Sequence, residues 1–135
     1  KKEKKKYSIL LTFFWKKIHM SIKVFYNKSC KICNAEINHY KKYSNNEIEW
    51  IDIINNPKAQ KLTSKTYEDL IKKIHIIEDN RVIEGAGAFL LIWKNIPRYN
   101  FLYTIFKIPF FFFLLNNVYR FAAFLLFFKN KELLK

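Results

Sequence analysis

Cys30 and Cys33 are the only cysteines in the 135-residue chain, and they stand three apart in Tyr26-Asn27-Lys28-Ser29-Cys30-Lys31-Ile32-Cys33. Three kinds of chemistry use such a pair: disulfide exchange, half of a tetrahedral zinc site, or a structural staple. The staple is the weakest, because a bridge at this spacing closes a very small loop and constrains little of the unfolded chain. Zinc would need two further ligands from His19, His39 and His75 or from a second chain; the sequence has no second CxxC and no HxxxH spacing. Exchange needs a thiolate that attacks a disulfide sulfur. A cysteine at a helix N-terminus supplies one, since the positive end of the dipole and the unpaired N–H groups stabilise the anion. Lys28 and Lys31 add positive charge nearby. Cys30 is therefore read as the attacking nucleophile and Cys33, one turn on, as the resolving thiol. Glu36 is a weaker candidate for proton transfer, and a solvated helix residue is its plainer reading. His39 is read the same way, as a surface or half-buried side chain. Tyr26 and Trp50 are adequately explained as core aromatics.

The pair needs a strand before it and a helix after it. Residues 21–26 read as a short buried strand, in which Ile22, Val24 and Phe25 favour extended structure. Ser29 is a candidate helix cap, and the helix it opens is expected to run to about Tyr43, stopped by Asn45 and Asn46. Residues 47–53, EIEWIDI, alternate charged and apolar residues as a strand does. Ile48 and Trp50 would then face one way, and Ile51 and Ile53 the other. Residues 56–73 read as helix in pieces, with Pro57 near a start. IHIIE (74–78) and RVIE (81–84) are strands joined by an Asp79-Asn80 hairpin turn. A helix follows from Gly85–Ala88 to about Asn95 and stops at Pro97. The order is strand, helix, strand, helix, strand, strand, helix, then extra helices. Helical crossovers between the first three strands predict mostly parallel pairing. The fold class expected is α/β, thioredoxin-like (βαβαββα) with additional C-terminal helices, and the CxxC sits where that fold places a redox pair.

The ends are less regular. Residues 1–19 join a basic head to a short apolar stretch, Ile9 to Trp15, and Lys16 and Lys17 follow where a cleavage site would be. They are read as an extension of a domain that begins near Met20, with an amphipathic membrane-surface anchor as the alternative. Residues 108–128, IPFFFFLLNNVYRFAAFLLFF, have the length of a membrane span, but Asn116, Asn117 and Arg120 interrupt them. Two shorter helices are expected, the first opened by Pro109. They either cover one face of the core or lie on a membrane surface with Lys129, Lys131 and Lys135 at the headgroups; a true span is the remaining alternative. The domain plan is thus 1–19 extension, 20–97 core and 98–135 helical extension.

Hydrophobic residues make up 50% and charged residues 27%, which excludes a disordered chain. Net charge is +14, from 25 Lys+Arg against 11 Asp+Glu. Such a charge suits polyanions or anionic membranes. Lys, Asn, Ile, Phe and Tyr are abundant throughout, however, as an AT-rich coding bias produces. Without an arginine cluster or a Gly-aromatic RNA-binding signature, no nucleic-acid partner is expected.

Three blocks in order resemble the DCC family of predicted thiol-disulfide oxidoreductases, across about residues 22–128. The first is the run from Tyr26 to Cys33, against a family pattern of aromatic-Asp-Gly-x-Cys-x-x-Cys. The second is Gly85-Ala86-Gly87-Ala88-Phe89 followed by Trp93 and Pro97. The third is Pro109 followed by Tyr119. The family Asp is Asn27 here, and the Gly after it is Lys28. If that Asp carries a proton, Asn27 does not replace it; if it accepts loop N–H groups, Asn27 keeps part of the role. Lys73 stands where ordinary thioredoxins place a cis-proline, so substrate docking differs from theirs. The resemblance implies Cys30 and Cys33 as catalytic residues, no cofactor, a protein or small-molecule disulfide substrate and an external thiol donor. Asn27, Lys28, Ser29, Lys31, Gly85 and Gly87 are the site-supporting residues. Gly85 and Gly87 either bring backbone near the cysteines or make the helix-entry turn. A cytoplasmic location is expected, with peripheral membrane contact through 108–128 as an addition.

Overall fold

Strand β1 (Ile22–Tyr26) is the centre of the molecule. Val24 and Phe25 are both fully buried, as befits a strand covered on both faces. In this computed structural model, which describes residues 22–134, β1 lies between β2 (Ile48–Asp52) and β3 (His75–Glu78), and β4 (Arg81–Glu84) forms the edge, giving the order β2-β1-β3-β4. The extension at 1–19, His19 and Met20 lie outside the described residues.

β1 and β2 are parallel, with Tyr26 opposite Asp52. The helix between them is α1 (Lys31–Tyr43). β3 is antiparallel to β1, with Phe25 opposite His75, which corrects the mostly parallel expectation. Two short helices, α2 (Pro57–Thr63) and α3 (Tyr67–Lys72), form that connection, and they bring the chain back into the sheet at the end where β2 finishes, without crossing to the other end. β3 and β4 make the expected hairpin; Asp79 and Asn80 both have positive φ, 50° and 62°, as a primed turn requires.

One face of the sheet carries Ile22, Val24 and Ile76 against Ile37 and Tyr40 of α1 and Ile92 and Trp93 of α4 (Ala86–Asn95). The other carries Phe25 and Ile53 against Ala59, Leu70 and Ile71 of α2 and α3. The alternation of 47–53 is visible here, since Ile48 and Trp50 join the first cluster and Ile51 and Ile53 the second.

After α5 (Asn100–Phe106), α6 runs unbroken from Pro109 to Asn130. The two shorter helices expected in 108–128 are therefore one. Asn117 donates from Nδ2 to the Phe113 carbonyl at 2.8 Å, one turn back, so its amide is satisfied within the helix. No Gly or Pro follows Pro109 to break the run. Leu115 packs on the first cluster and Phe127 on the second, so α6 ties the two cores together.

Candidate active site

The loop between β1 and α1 is built on two acceptors. Asn27 is 6% exposed, and its Oδ1 accepts the N–H groups of Ser29 at 3.0 Å and Cys30 at 3.3 Å. Asp52, at the end of the neighbouring strand, accepts from the N–H groups of Lys28 and Ile54, each at 3.1 Å. Asp52 is a supporting residue that the sequence did not single out; its only signal was a polar residue closing an alternating strand.

Cys30 itself caps α1. Its Sγ accepts the Cys33 N–H at 3.3 Å, which corrects the expected Ser29 cap. A helix N-terminus offers unpaired N–H groups, and here one of them points at the sulfur expected to become the thiolate. Cys30 and Cys33 are joined as a disulfide, with Cα atoms 5.2 Å apart. Cys30 is 2% exposed, whereas Cys33 is half-buried. Lys28, Ser29 and Lys31 are exposed around them.

Cys33 also lines a cavity of about 270 Å³ that is walled by α1, α3, α4 and α6. Asn27 and Glu36 line it too, beside Phe89, Trp93 and Tyr119. Glu36 lies on an exposed part of α1, yet its carboxyl accepts the Tyr40 hydroxyl at 2.9 Å. Burial pushes its pKa above the ordinary carboxylate value, against the smaller opposing effects of Tyr40 and His39. Trp93 donates from Nε1 to the Tyr40 oxygen at 3.1 Å. Burial, and then the neighbouring Glu36 charge, drive the Tyr40 hydroxyl well above its usual range.

Gly85 and Gly87 open α4. Gly85 has φ +72°, and a Cβ there would meet Tyr119 Cε1 at 3.2 Å; a Cβ on Gly87 would meet Ile83 at 3.0 Å. Gly85 donates its N–H to the Ile74 carbonyl at 2.9 Å, and the Ile74 N–H goes to the Tyr119 hydroxyl at 3.0 Å. The second and third sequence blocks thus meet at Ile74. The neighbours found for these glycines are Tyr119 and Ile83, which agrees with the helix-entry reading.

His39 contacts the Tyr99 hydroxyl and sits among the rings of Tyr40 and Tyr43. His75 is fully buried, with Nδ1 at 2.8 Å from the Lys73 carbonyl and Nε2 at 3.1 Å from Glu84. Among the described residues no group of three or more His, Cys, Asp or Glu side chains is arranged to hold a metal ion.

A family model described as DCC1-like thiol-disulfide oxidoreductase matches residues 24–127. No curated protein and no solved structure matches the chain. The match spans well over half of the sequence, and the chain belongs to the DCC1-like thiol-disulfide oxidoreductase family.

Proposed function

We propose that the chain reduces protein or small-molecule disulfides through Cys30 and Cys33, with electrons from an external thiol donor. The observation that carries this reading is the Cys33 N–H directed at the Cys30 sulfur at the start of α1. That bond and the helix dipole favour the thiolate of Cys30 once the bridge is reduced. The thiolate attacks one substrate sulfur, the substrate S–S bond breaks, and the departing sulfur takes a proton. Cys33 then loses its proton and attacks Cys30 in the mixed disulfide, releasing the second substrate thiol and re-forming the Cys30–Cys33 bridge. Two thiols of the donor return the pair to the dithiol by the same exchange. Because Cys30 is 2% exposed in the bridged form, attack from it needs the Asn27–Ser29 loop to give way after reduction. Lys28 and Lys31 favour the anion through charge; Asn27 and Ser29 fix the loop; Gly85 and Gly87 set the entry of α4. The cytoplasm is the proposed compartment, since thiols are kept reduced there and a donor can return the pair to the dithiol.

A redox titration in glutathione buffers, read by thiol alkylation and mass, tests the reading. Both thiols are expected to disappear in one two-electron step in the reducing range. Cys30→Ser is expected to abolish disulfide reduction with the fold intact, and Cys33→Ser to accumulate the mixed disulfide. Full activity in folded Cys30→Ser protein would remove the proposal.

A second reading concerns where the enzyme works. Phe110, Phe113, Phe121 and Phe124 of α6 are exposed on one side of the helix, and a row of exposed large apolar side chains marks an interaction surface. α6 is long and apolar enough to cross a membrane. Its opposite side, however, packs on α3 and α4 and on both cores. We therefore propose that α6 lies on an anionic membrane surface, with Lys107, Lys129 and Lys131 toward the headgroups. In this reading the 98–135 extension covers the core with one side and meets lipid with the other. Co-sedimentation of the full chain with anionic vesicles checks it, and failure to bind them would count against it.

A further inference from the structure

The buried amide of Asn27 is half used. Its Oδ1 accepts two loop N–H groups, which fixes the orientation of the amide. Its Nδ2 is buried with no partner. An unpaired buried donor is uncommon in native proteins and calls for an explanation. Asn27 also lines the cavity beside Cys33. Apolar lining comes from Ile37, Phe89, Trp93 and Leu115, and polar lining from Glu36, Lys72 and Lys73. At about 270 Å³, the space falls below the range of about 300–1,000 Å³ common for small-molecule and cofactor sites. It suits one ring or one branched apolar group.

We infer that this cavity is a specificity subsite for a large apolar side chain next to the cysteine of a disulfide-bonded polypeptide substrate, and that Asn27 Nδ2, shielded in the bridged form, donates to a backbone carbonyl of that substrate once the Asn27–Ser29 loop gives way. The inference rests on the disulfide-reductase reading above and adds a substrate class to it. Cys33 in the wall puts the subsite against the sulfur pair. An apolar side chain entering the cavity leaves water, and the carbonyl that follows it gives the orphan amide its acceptor. A substrate with a small or charged residue at that position gains neither.

The test compares two disulfide-linked peptides, identical except for Phe or Ser beside the cysteine, with 2-hydroxyethyl disulfide as a substrate that has no side chain to place. The full chain is used, and kcat/KM is measured for each. The Phe peptide is expected to be preferred by about tenfold, the lower end of what an apolar pocket contact gives. Two substitutions address the cavity. Val118→Trp narrows its lining from a position that is 67% exposed, where the fold tolerates change. Ala123→Phe fills it from the α6 wall. In either folded variant the Phe-to-Ser ratio is expected to fall toward one. A ratio near one in the unaltered chain, with 2-hydroxyethyl disulfide still reduced, overturns the subsite and leaves the redox reading standing. A tenfold preference unchanged in folded Val118→Trp and Ala123→Phe proteins also overturns it. No reduction of either peptide or of 2-hydroxyethyl disulfide removes the redox reading, and the subsite with it.

Discussion

The CxxC loop and helix α6 are held by opposite means. In the loop, Asn27 and Asp52 each accept two N–H groups, and the Cys30 sulfur accepts a third kind, from its own helix. None of α6's 22 residues is buried. It is seated by a stripe of side chains at three- and four-residue spacing, including Leu115, Tyr119, Ala122, Leu126 and Asn130, which line the cavity. Directional bonds from particular residues fix sulfur atoms to the accuracy that exchange needs. An apolar stripe needs only approximate shape, and its far side is left open to serve another surface. The sharpest test of this contrast is to remove one acceptor from the loop. Asn27→Ala leaves the Ser29 N–H without its side-chain acceptor and takes one of two acceptors from Cys30. A loss of about 1–3 kcal/mol is expected by urea denaturation. Asn27→Asp, which keeps a side-chain acceptor at this position, should keep most of that stability. Equal stability of Asn27→Ala and the unaltered chain would show that backbone contacts alone hold the loop.

Among the described residues, the hydrogen bond from α6 to the residue just before β3 is the exception that tests the rule. Tyr119 accepts the Ile74 N–H, and its ring packs on Phe89 and closes against Gly85. Tyr119→Phe removes only the acceptor and is expected to cost about 1 kcal/mol. A larger effect than that of Asn27→Ala would reverse the contrast and make α6 the more specifically held region.

Glu36 lies where the two regions meet, on α1 and in the cavity wall. Its carboxyl is protonated more readily in the fold than in the unfolded chain, mainly because of burial. For an acid raised in this way, the folded state binds the extra proton, so stability is fully present at low pH. It is lost as pH rises from about the ordinary value of 4.5 toward the folded pKa. Glu36→Gln cannot ionise and still offers an oxygen to Tyr40. Denaturation between pH 4 and pH 8 should show the variant gaining on the unaltered chain as pH rises through that window. A difference that does not change with pH would place the Glu36 carboxyl in water, outside the cavity.

Much of the fold was legible because its signals are local. The Asp79-Asn80 turn, the entry of α2 at Pro57 and the strand–CxxC–helix order each lie within a few residues of their cause. What was hidden depends on partners far along the chain. Asp52 reads as one polar residue of a strand until β2 sets it beside Tyr26 and the Lys28 N–H. Gly85 and Tyr119 meet only through Ile74. The direction of β3 was misread because two short helices in one connection can return the chain from either end. α6 was divided in two because Asn116, Asn117 and Arg120 looked like interruptions, while Asn117 in fact bonds back within the helix. The cavity combines α1, α3, α4 and α6, a set of walls that no local pattern announces.

The smallest expected effect on the fold is on the outer face of α6, where the contrast makes its most exposed claim. Phe113 is 64% exposed, and it belongs to neither core cluster. If the outer face serves lipid and not the fold, Phe113→Ala should change stability by no more than about 0.5 kcal/mol. Vesicle binding should respond instead. An aromatic ring that enters the membrane interface contributes through the apolar area it buries there, so Phe113→Ala combined with Phe121→Ala should weaken binding to anionic vesicles several-fold. Added salt should weaken it further, because the flanking lysines act through screened charge. A double variant that loses several kcal/mol of stability would show that the outer face is part of the core after all. One that stays stable and binds vesicles as before would leave α6 seated by its inner stripe, with lipid ruled out as the partner of its outer face.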